Sequence, residues 1–273
     1  MKRLSIVLFF VLVAGVTWGW FKLNQPAAPL ERTEPLRISQ GVIIGGIDHD
    51  NPAIQVYNGL PYATAQRWSA PDIPPQWGAI PRDSRTFGPE CLQGRDSLAG
   101  FVDDILKGNG LPWWKRFVAE KYLAAQPAPQ ESESCLFLNV RTGNMNGTEP
   151  APVMVWIHGG AHKAGSGSSS FYQANGLVEK GVVLVTINYR LGALGYLAHP
   201  ALTEVDGTSG NYGLMDQMAA LKWVRQNIAS FGGDPDNVTV FGESAGAQSI
   251  SELMASPMSA GLFDKVILES GSS

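Results

Sequence analysis

The sequence predicts an α/β fold in which a mostly parallel sheet carries helices on both faces. From residue 135 onward, strands that are apolar along their whole length alternate with helical stretches, a pattern typical of a sheet buried on both sides. The composition supports a sizeable core, since 44% of the 273 residues are hydrophobic and 16% are charged. A net charge of -4, without any basic run, gives no indication of nucleic-acid binding.

The N-terminal residues are predicted to be a targeting segment. Lys2 and Arg3 precede an uncharged apolar stretch over residues 4–21, which is the layout of a signal peptide. Because this stretch lies at the lower limit of what spans a bilayer, residues 1–25 are interpreted as either a signal peptide or an N-terminal membrane anchor. A buried core helix fits the terminal charges less well. We therefore expect an exported protein, which is periplasmic, secreted or attached to the membrane through residues 4–21.

Short apolar runs from Ile38 to about Trp77, broken by Gly, Pro and Asn, predict antiparallel strands and loops. Residues 101–130 are predicted to be an insertion with one or two short helices between Gly and Pro residues. The alternating part of the fold follows. Strands are predicted over residues 135–140, 152–160, 182–189, 237–242 and 265–270, and helices over residues 174–181, 213–232 and 245–256.

The stretch from Gly242 to Gly246, "GESAG", follows an apolar strand and precedes a helix. This is the context of the G-x-S-x-G nucleophile elbow, in which a strained turn presents a serine. Glycines flank the turn because the neighbouring backbone leaves no room for side chains. We therefore predict that Ser244 is a nucleophile at the N-terminus of a helix, where developing negative charge is favoured.

A second glycine-rich stretch, "HGGAH" at residues 158–162, ends an earlier apolar strand. Acyl transfer needs backbone N–H donors aimed at the tetrahedral oxyanion, and such a loop supplies them together with the residue after the nucleophile. The predicted donors are Gly160, Ala161 and Ala245. By itself this stretch is compatible with an ordinary loop, and its interpretation as an oxyanion loop depends on the presence of the nucleophile elbow.

The two cysteines, Cys91 and Cys135, are expected to form one disulfide, because an even number of cysteines in an exported protein favours pairing. Two unpaired buried thiols are the alternative. The sequence contains no phosphate loop, metal-ligand cluster or cofactor fingerprint, and a serine acyl-transfer route needs no cofactor.

From about Gly41 to Ser273 the chain resembles the type B carboxylesterases, a family that includes cholinesterases and bacterial para-nitrobenzyl esterases. The resemblance rests on seven stretches: "NGLPYA", "FGPECLQ", "ESCLFLNV", "VWIHGGA", "INYRLGALGYL", "GNYGLMDQMAALKWVRQNIASFGGDPDNVTVFGESAG" and "LFDKVILESGSS".

The resemblance implies an α/β-hydrolase fold, with residues 36–273 as the N-terminal part of the domain. It also implies Ser244 as the nucleophile, Gly160, Ala161 and Ala245 as the oxyanion hole, and a small carboxylic ester as the substrate. The two cysteines match the family's first disulfide. Trp113, Trp114 and Phe117 lie in the loop that this disulfide closes, which in the family lies near the gorge mouth. They are interpreted as lining the entrance or as forming a small satellite core.

Two features depart from the family pattern. His162 stands where members mostly carry Phe, which is expected to alter the acyl pocket. In addition, the family order is Ser, then Glu or Asp, then His, and no histidine follows Ser244. The sequence is therefore interpreted as an incomplete chain that stops after the strand following the nucleophile helix, and that is nearly inactive alone. Among the upstream histidines, His158 and His162 flank the oxyanion loop, and we expect them to have packing or hydrogen-bonding roles.

Two function hypotheses remain from the sequence. The first is a carboxylic ester hydrolase that acts through an acyl-enzyme on Ser244. The second is a non-catalytic exported binding module of the same family, like its neuroligin branch. Glu243, next to the nucleophile, is interpreted as part of a buried ion pair with Arg190.

Overall fold

The structure is a computed structural model that describes residues 28–74, 76–94, 107–108, 110, 112–117, 130–173 and 175–271. The chain divides into two units, Met1–Leu30 and Glu31–Ser273, and the helices and strands given below all lie in the second. The predicted targeting segment lies outside the described residues. Within those residues, no helix combines the length and the apolar character needed to cross a membrane.

The strands, in chain order, are β1 (Glu31–Arg32), β2 (Leu36–Ile38), β3 (Gly41–Ile44), β4 (Gly46–Ile47), β5 (Gln55–Pro61), β6 (Gly78–Asp83), β7 (Glu90–Cys91), β8 (Glu131–Ser132), β9 (Phe137–Thr142), β10 (Ala151–Ile157), β11 (Val183–Ile187), β12 (Gly233–Glu243) and β13 (Lys265–Glu269). The α-helices whose two ends both lie in the described residues are α1 (Gly192–Tyr196), α2 (Pro200–Asp206), α3 (Tyr212–Asn227) and α4 (Ala245–Ala255). Short 3-10 helices are present at Ser170–Tyr172, Val178–Lys180, Ile228–Phe231 and Pro257–Ser259.

The central sheet has the strand order β1-β4-β5-β9-β11-β10-β12-β13. The last four strands in this order pair in parallel, and the others pair antiparallel with their neighbours. This arrangement confirms the predicted α/β class and the sheet. Because β10 and β12 are parallel neighbours, with Ile157 opposite Gly242, the loops that follow them meet at the same edge of the sheet.

One face of the parallel strands is covered by helices α3 and α4. Val153, Val155 and Ile157 on β10 are fully buried there, as are their counterparts on β11 and β12. On the opposite face, a cavity of about 360 Å³ borders Trp156 and Phe241. In the described part of the chain, β13 is the edge of the sheet, and its residues Ile267 and Leu268 are more than 40% exposed.

Most predicted elements are confirmed, and the differences have local causes. The helix predicted over residues 174–181 is only the 3-10 helix Val178–Lys180, which ends at Gly181 with a left-handed φ of 85°. Helix α2 was missed, although Pro200 at its first turn and Gly207 after its last residue are ordinary boundary signals. Of the predicted insertion, residues 107–108 and 113–117 are helical, and most of the rest lies outside the described residues.

Candidate active site

The predicted nucleophile elbow connects β12 to α4. Ser244 stands at the N-cap of the helix with φ 54° and ψ -120°, a conformation that costs a non-glycine residue free energy. Its backbone N–H donates to the carbonyl oxygen of Glu269 at 2.9 Å, and its carbonyl accepts from Gln248 at 2.9 Å. These two bonds fix the turn at the end of β13 and at the first turn of α4. The side chain of Ser244 is half-buried.

Glycine is required on both sides of the serine for steric reasons. A Cβ atom at Gly242 would lie 2.6 Å from the carbonyl oxygen of Ile157, and one at Gly246 would lie closer still to the same oxygen. The end of β10 therefore occupies the space that side chains at these positions would need. This confirms the steric reason for the glycines that was predicted from the sequence.

The loop after β10 runs directly against the elbow. A Cβ atom at Gly159 would lie 2.7 Å from the carbonyl oxygen of Glu243 and 3.2 Å from Cβ of Ser244. Gly160 and Ala161 both have positive φ, at 106° and 54°. Within the described residues, neither of their N–H groups donates a hydrogen bond, and the N–H of Ala245 lies in the unpaired first turn of α4. The structure thus brings the three predicted donors to the same edge of the sheet as Ser244.

His158, the first residue of the loop, is a buried packing residue. Its ring stacks on that of Tyr189 with centroids 4.4 Å apart, and its Nδ1 lies 2.8 Å from the carbonyl oxygen of Gly159. Since that oxygen can only accept, Nδ1 carries the proton. Nε2 has no partner among the described residues. Burial lowers the pKa of His158 from 6.5 to about 4, so the ring is neutral near neutral pH.

His162 points to helix α4. Its Nε2 lies 2.9 Å from Oγ of Ser249 and 3.1 Å from the carbonyl oxygen of Ala245, and its ring packs at 4.6 Å on that of Tyr196. Burial lowers the pKa of His162, against the opposing attraction of Glu252. Neither His158 nor His162 is bonded to Ser244 in the described structure, which agrees with the packing and hydrogen-bonding roles predicted for them.

The predicted ion pair between Glu243 and Arg190 is wrong. Arg190 instead forms a buried bidentate pair with Asp216 on α3, at 2.7 and 2.8 Å, and its Nη1 also donates to two backbone carbonyls. Glu243 is exposed. The reason is one of position, because Asp216 faces Arg190 from the first turns of α3. The carboxylate of Glu243 instead lies beside the loop after β10, where a Cβ atom at Gly159 would be 2.9 Å from its Oε2.

Cys91 and Cys135 form the predicted disulfide, which indicates an oxidising compartment. Next to it, the amide of Gln93 pairs with the backbone of Gly165, accepting from its N–H at 2.8 Å and donating to its carbonyl at 3.1 Å. The far end of the loop after β10 is therefore held to the disulfide-closed segment. Sequence reasoning missed this contact because the two residues are 72 positions apart and neither one has a distinctive pattern.

The other two histidines lie on other elements. His49 follows β4, and His199 is the N-cap of α2. Among the described residues, no three His, Cys, Asp or Glu side chains lie close enough together to hold a metal ion.

Comparison with known proteins identifies the family. A model of the carboxylesterase family matches residues 32–273. The chain belongs to the carboxylesterase family. Among its relatives, a fumonisin B1 esterase of Sphingopyxis macrogoltabida is 39% identical over 94% of this chain, and a para-nitrobenzyl esterase of Bacillus subtilis is 42% identical over 81%. A human cocaine esterase is 38% identical over 95%.

Solved carboxylesterase structures share the fold. A thermophilic pNB esterase superposes with a TM-score of 0.72 at 40% identity, and a Geobacillus stearothermophilus carboxylesterase with a TM-score of 0.69 at 34% identity. Both alignments cover 88% of this chain and 44% of the other. The chain spans about two fifths of the length of its relatives, with 44% of the fumonisin esterase and 40% of the para-nitrobenzyl esterase aligned.

Proposed function

We propose that this carboxylesterase hydrolyses small carboxylic esters through an acyl-enzyme on Ser244. The observation that carries the proposal is the strained conformation of Ser244, with φ 54°, at the N-terminus of α4 and directly against the loop after β10. Strain of about 1–3 kcal/mol at a non-glycine residue is retained where the surroundings impose it, and such residues cluster at functional sites.

In this proposal Oγ of Ser244 attacks the ester carbonyl while its proton passes to a general base, and the base returns that proton to the alcohol as the ester C–O bond breaks. The negative charge on the tetrahedral oxygen is stabilised by the N–H groups of Gly160, Ala161 and Ala245, which donate no other hydrogen bond in the described chain. Water then releases the acid, so no cofactor is consumed. We assign the general base and its orienting acid to the part of the carboxylesterase length that this chain does not span, because His158 and His162 are bonded elsewhere.

Several further features belong to the proposal. The described disulfide supports an exported protein. In this proposal the predicted signal peptide or membrane anchor over residues 1–25 directs the export. The alternative, a binding module of the same family, has no need of a strained serine beside unpaired N–H groups. The geometry of Ser244 therefore favours the hydrolase.

The test uses the complete protein, meaning this chain together with any sequence encoded beyond residue 273. With para-nitrophenyl acetate we expect a burst of nitrophenol equal to the enzyme present, and labelling of Ser244 by a fluorophosphonate. Ser244→Ala should abolish both and lower kcat by roughly 10⁶-fold, leaving only the contribution of binding and the oxyanion donors.

The matched control is Ser251→Ala, on the same helix, whose hydroxyl donates only to the carbonyl of Ala247 in the described residues. It should retain both the burst and the label. A burst of equal size in Ser244→Ala would show that another residue is the nucleophile.

A further inference from the structure

The loop after β10 has an unusual backbone that requires support. Three successive residues, Gly160, Ala161 and His162, have φ values of 106°, 54° and 56°, and two of them are not glycine. Such residues return to ordinary conformations unless neighbouring groups hold them. Within the loop, the N–H groups of Lys163 and Ala164 both donate to the carbonyl of Gly160, at 3.0 and 3.1 Å. These bonds close the turn but do not fix it relative to the elbow.

The side chain of His162 makes the connection to the elbow helix. Because the carbonyl oxygen of Ala245 can only accept, Nε2 of His162 carries the proton and donates over the 3.1 Å contact. The same Nε2 lies 2.9 Å from Oγ of the fully buried Ser249, which accepts in turn from Gln217 at 3.2 Å. The backbone of His162 is held as well, since Gly192 donates to its carbonyl at 2.6 Å.

This hydrogen bond joins the two segments that carry the proposed oxyanion donors. His162 directly follows Ala161, and the acceptor is the carbonyl of Ala245, whose own N–H is the third donor. We infer that His162 is a positioning residue that holds the donors of the loop at a fixed separation from the donor on α4. The inference rests on the proposed function. It differs from the expectation that His162 alters the acyl pocket, because the ring packs between Tyr196 and α4.

His162 is half-buried, and its partners Ser249 and Ala245 are buried. A network of this kind is rigid when its members are satisfied, and lost hydrogen bonds in it are costly. Phe at position 162 could retain the packing on Tyr196 but could not donate to Ala245. Gln could donate, because its amide nitrogen reaches about as far from the backbone as Nε2 of histidine. The two substitutions therefore separate the ring from the hydrogen bond.

The first measurement is hydrogen exchange of the Lys163 and Ala164 amides, which report on the turn and do not depend on activity. His162→Phe should accelerate their exchange roughly tenfold, the factor expected when one supporting hydrogen bond is lost, and His162→Gln should not. His199→Phe, the same change at a histidine that caps α2, is the matched control and should leave these amides unchanged. Unchanged exchange in His162→Phe overturns the inference.

The second measurement is acylation kinetics in the complete protein. In His162→Phe we expect kcat to fall by roughly 10²-fold with KM nearly unchanged. The reason is that misplaced donors weaken the stabilisation of the transition state but not the binding of the substrate. His162→Gln should recover most of kcat. Equal kcat in all three proteins, or equal losses in both variants, overturns the inference.

If His162→Phe does not fold, His162→Asn replaces it in both measurements. The amide of Asn is one methylene shorter than that of Gln and does not reach the carbonyl of Ala245, so the loss of kcat and the faster exchange expected of His162→Phe are expected here as well. No effect on either quantity overturns the inference. If wild-type protein forms no acyl-enzyme, the proposed function fails, and hydrogen exchange alone decides whether His162 fixes the loop.

Discussion

His158 should make the stability of the fold depend on pH between about 6.5 and about 4. The neutral ring is stacked on Tyr189 with its single proton, on Nδ1, donated to Gly159. Protonation would place a charge and a second N–H in a buried site where Nε2 has no partner among the described residues. This desolvation lowers the pKa of His158 from 6.5 to about 4.

The sign of the effect follows from proton binding. Between these two pKa values His158 is protonated in the unfolded chain but not in the folded chain. The stability that the neutral His158 contributes is therefore fully present above about pH 6.5 and is lost as the pH falls towards 4. At about 1.4 kcal/mol for each pKa unit, the loss amounts to about 3 kcal/mol. His162, whose pKa is also lowered by burial, acts in the same direction.

The assay is urea unfolding followed by tryptophan fluorescence at pH 7, 6, 5 and 4. The wild-type protein is compared with His158→Phe, which keeps a flat ring against Tyr189 but cannot take up a proton. Titration of His162 and of the carboxylates is common to both proteins and largely cancels. We expect the free energy of unfolding of the wild type, relative to the variant, to decrease by about 3 kcal/mol from pH 7 to pH 4.

Tyr189→Phe is the matched control. It removes the hydroxyl that donates to the carbonyl of His158 at 2.7 Å, but it retains the ring stack and the imidazole. This variant should be less stable at every pH and keep the wild-type pH dependence. If His158→Phe and the wild type lose stability in parallel from pH 7 to pH 4, the reasoning about the buried imidazole is refuted.

Three other predictions concern stability and access. Replacing Cys91 and Cys135 by Ala should lower the free energy of unfolding by about 3–4 kcal/mol in urea titrations, as loop entropy predicts, and an unchanged value would contradict this. Asp216→Ala should lower the free energy of unfolding by about 3–5 kcal/mol in the same titrations, because it leaves Arg190 buried without a counter-charge. A decrease below about 1 kcal/mol would disprove that. Trp114 is 52% exposed, so Trp114→Ala should change the free energy of unfolding by no more than about 0.5 kcal/mol. The same variant should alter the ratio of kcat/KM for bulky esters to kcat/KM for small esters, and an unaltered ratio would count against an entrance role.

The elbow and the loop after β10 could be predicted because each is local in sequence. Glycines at fixed offsets, an apolar strand before and a helix after specify the turn around Ser244 without knowledge of the rest of the fold. Helix α3 was likewise predicted from its 3.6-residue apolar spacing, and the disulfide from the presence of only two cysteines together with a predicted export signal.

The amino-acid sequence by itself therefore determined which residues form the turns, strands and helices that bring Ser244 and the loop after β10 together. Only the tertiary structure decided the partners. Arg190 pairs with Asp216, 26 residues away, and not with Glu243, and His162 reaches Ala245 across 83 residues. The physical reason is that backbone conformation depends on neighbours in sequence. Burial, hydrogen bonding and pKa depend instead on which distant segments the folded sheet brings into contact.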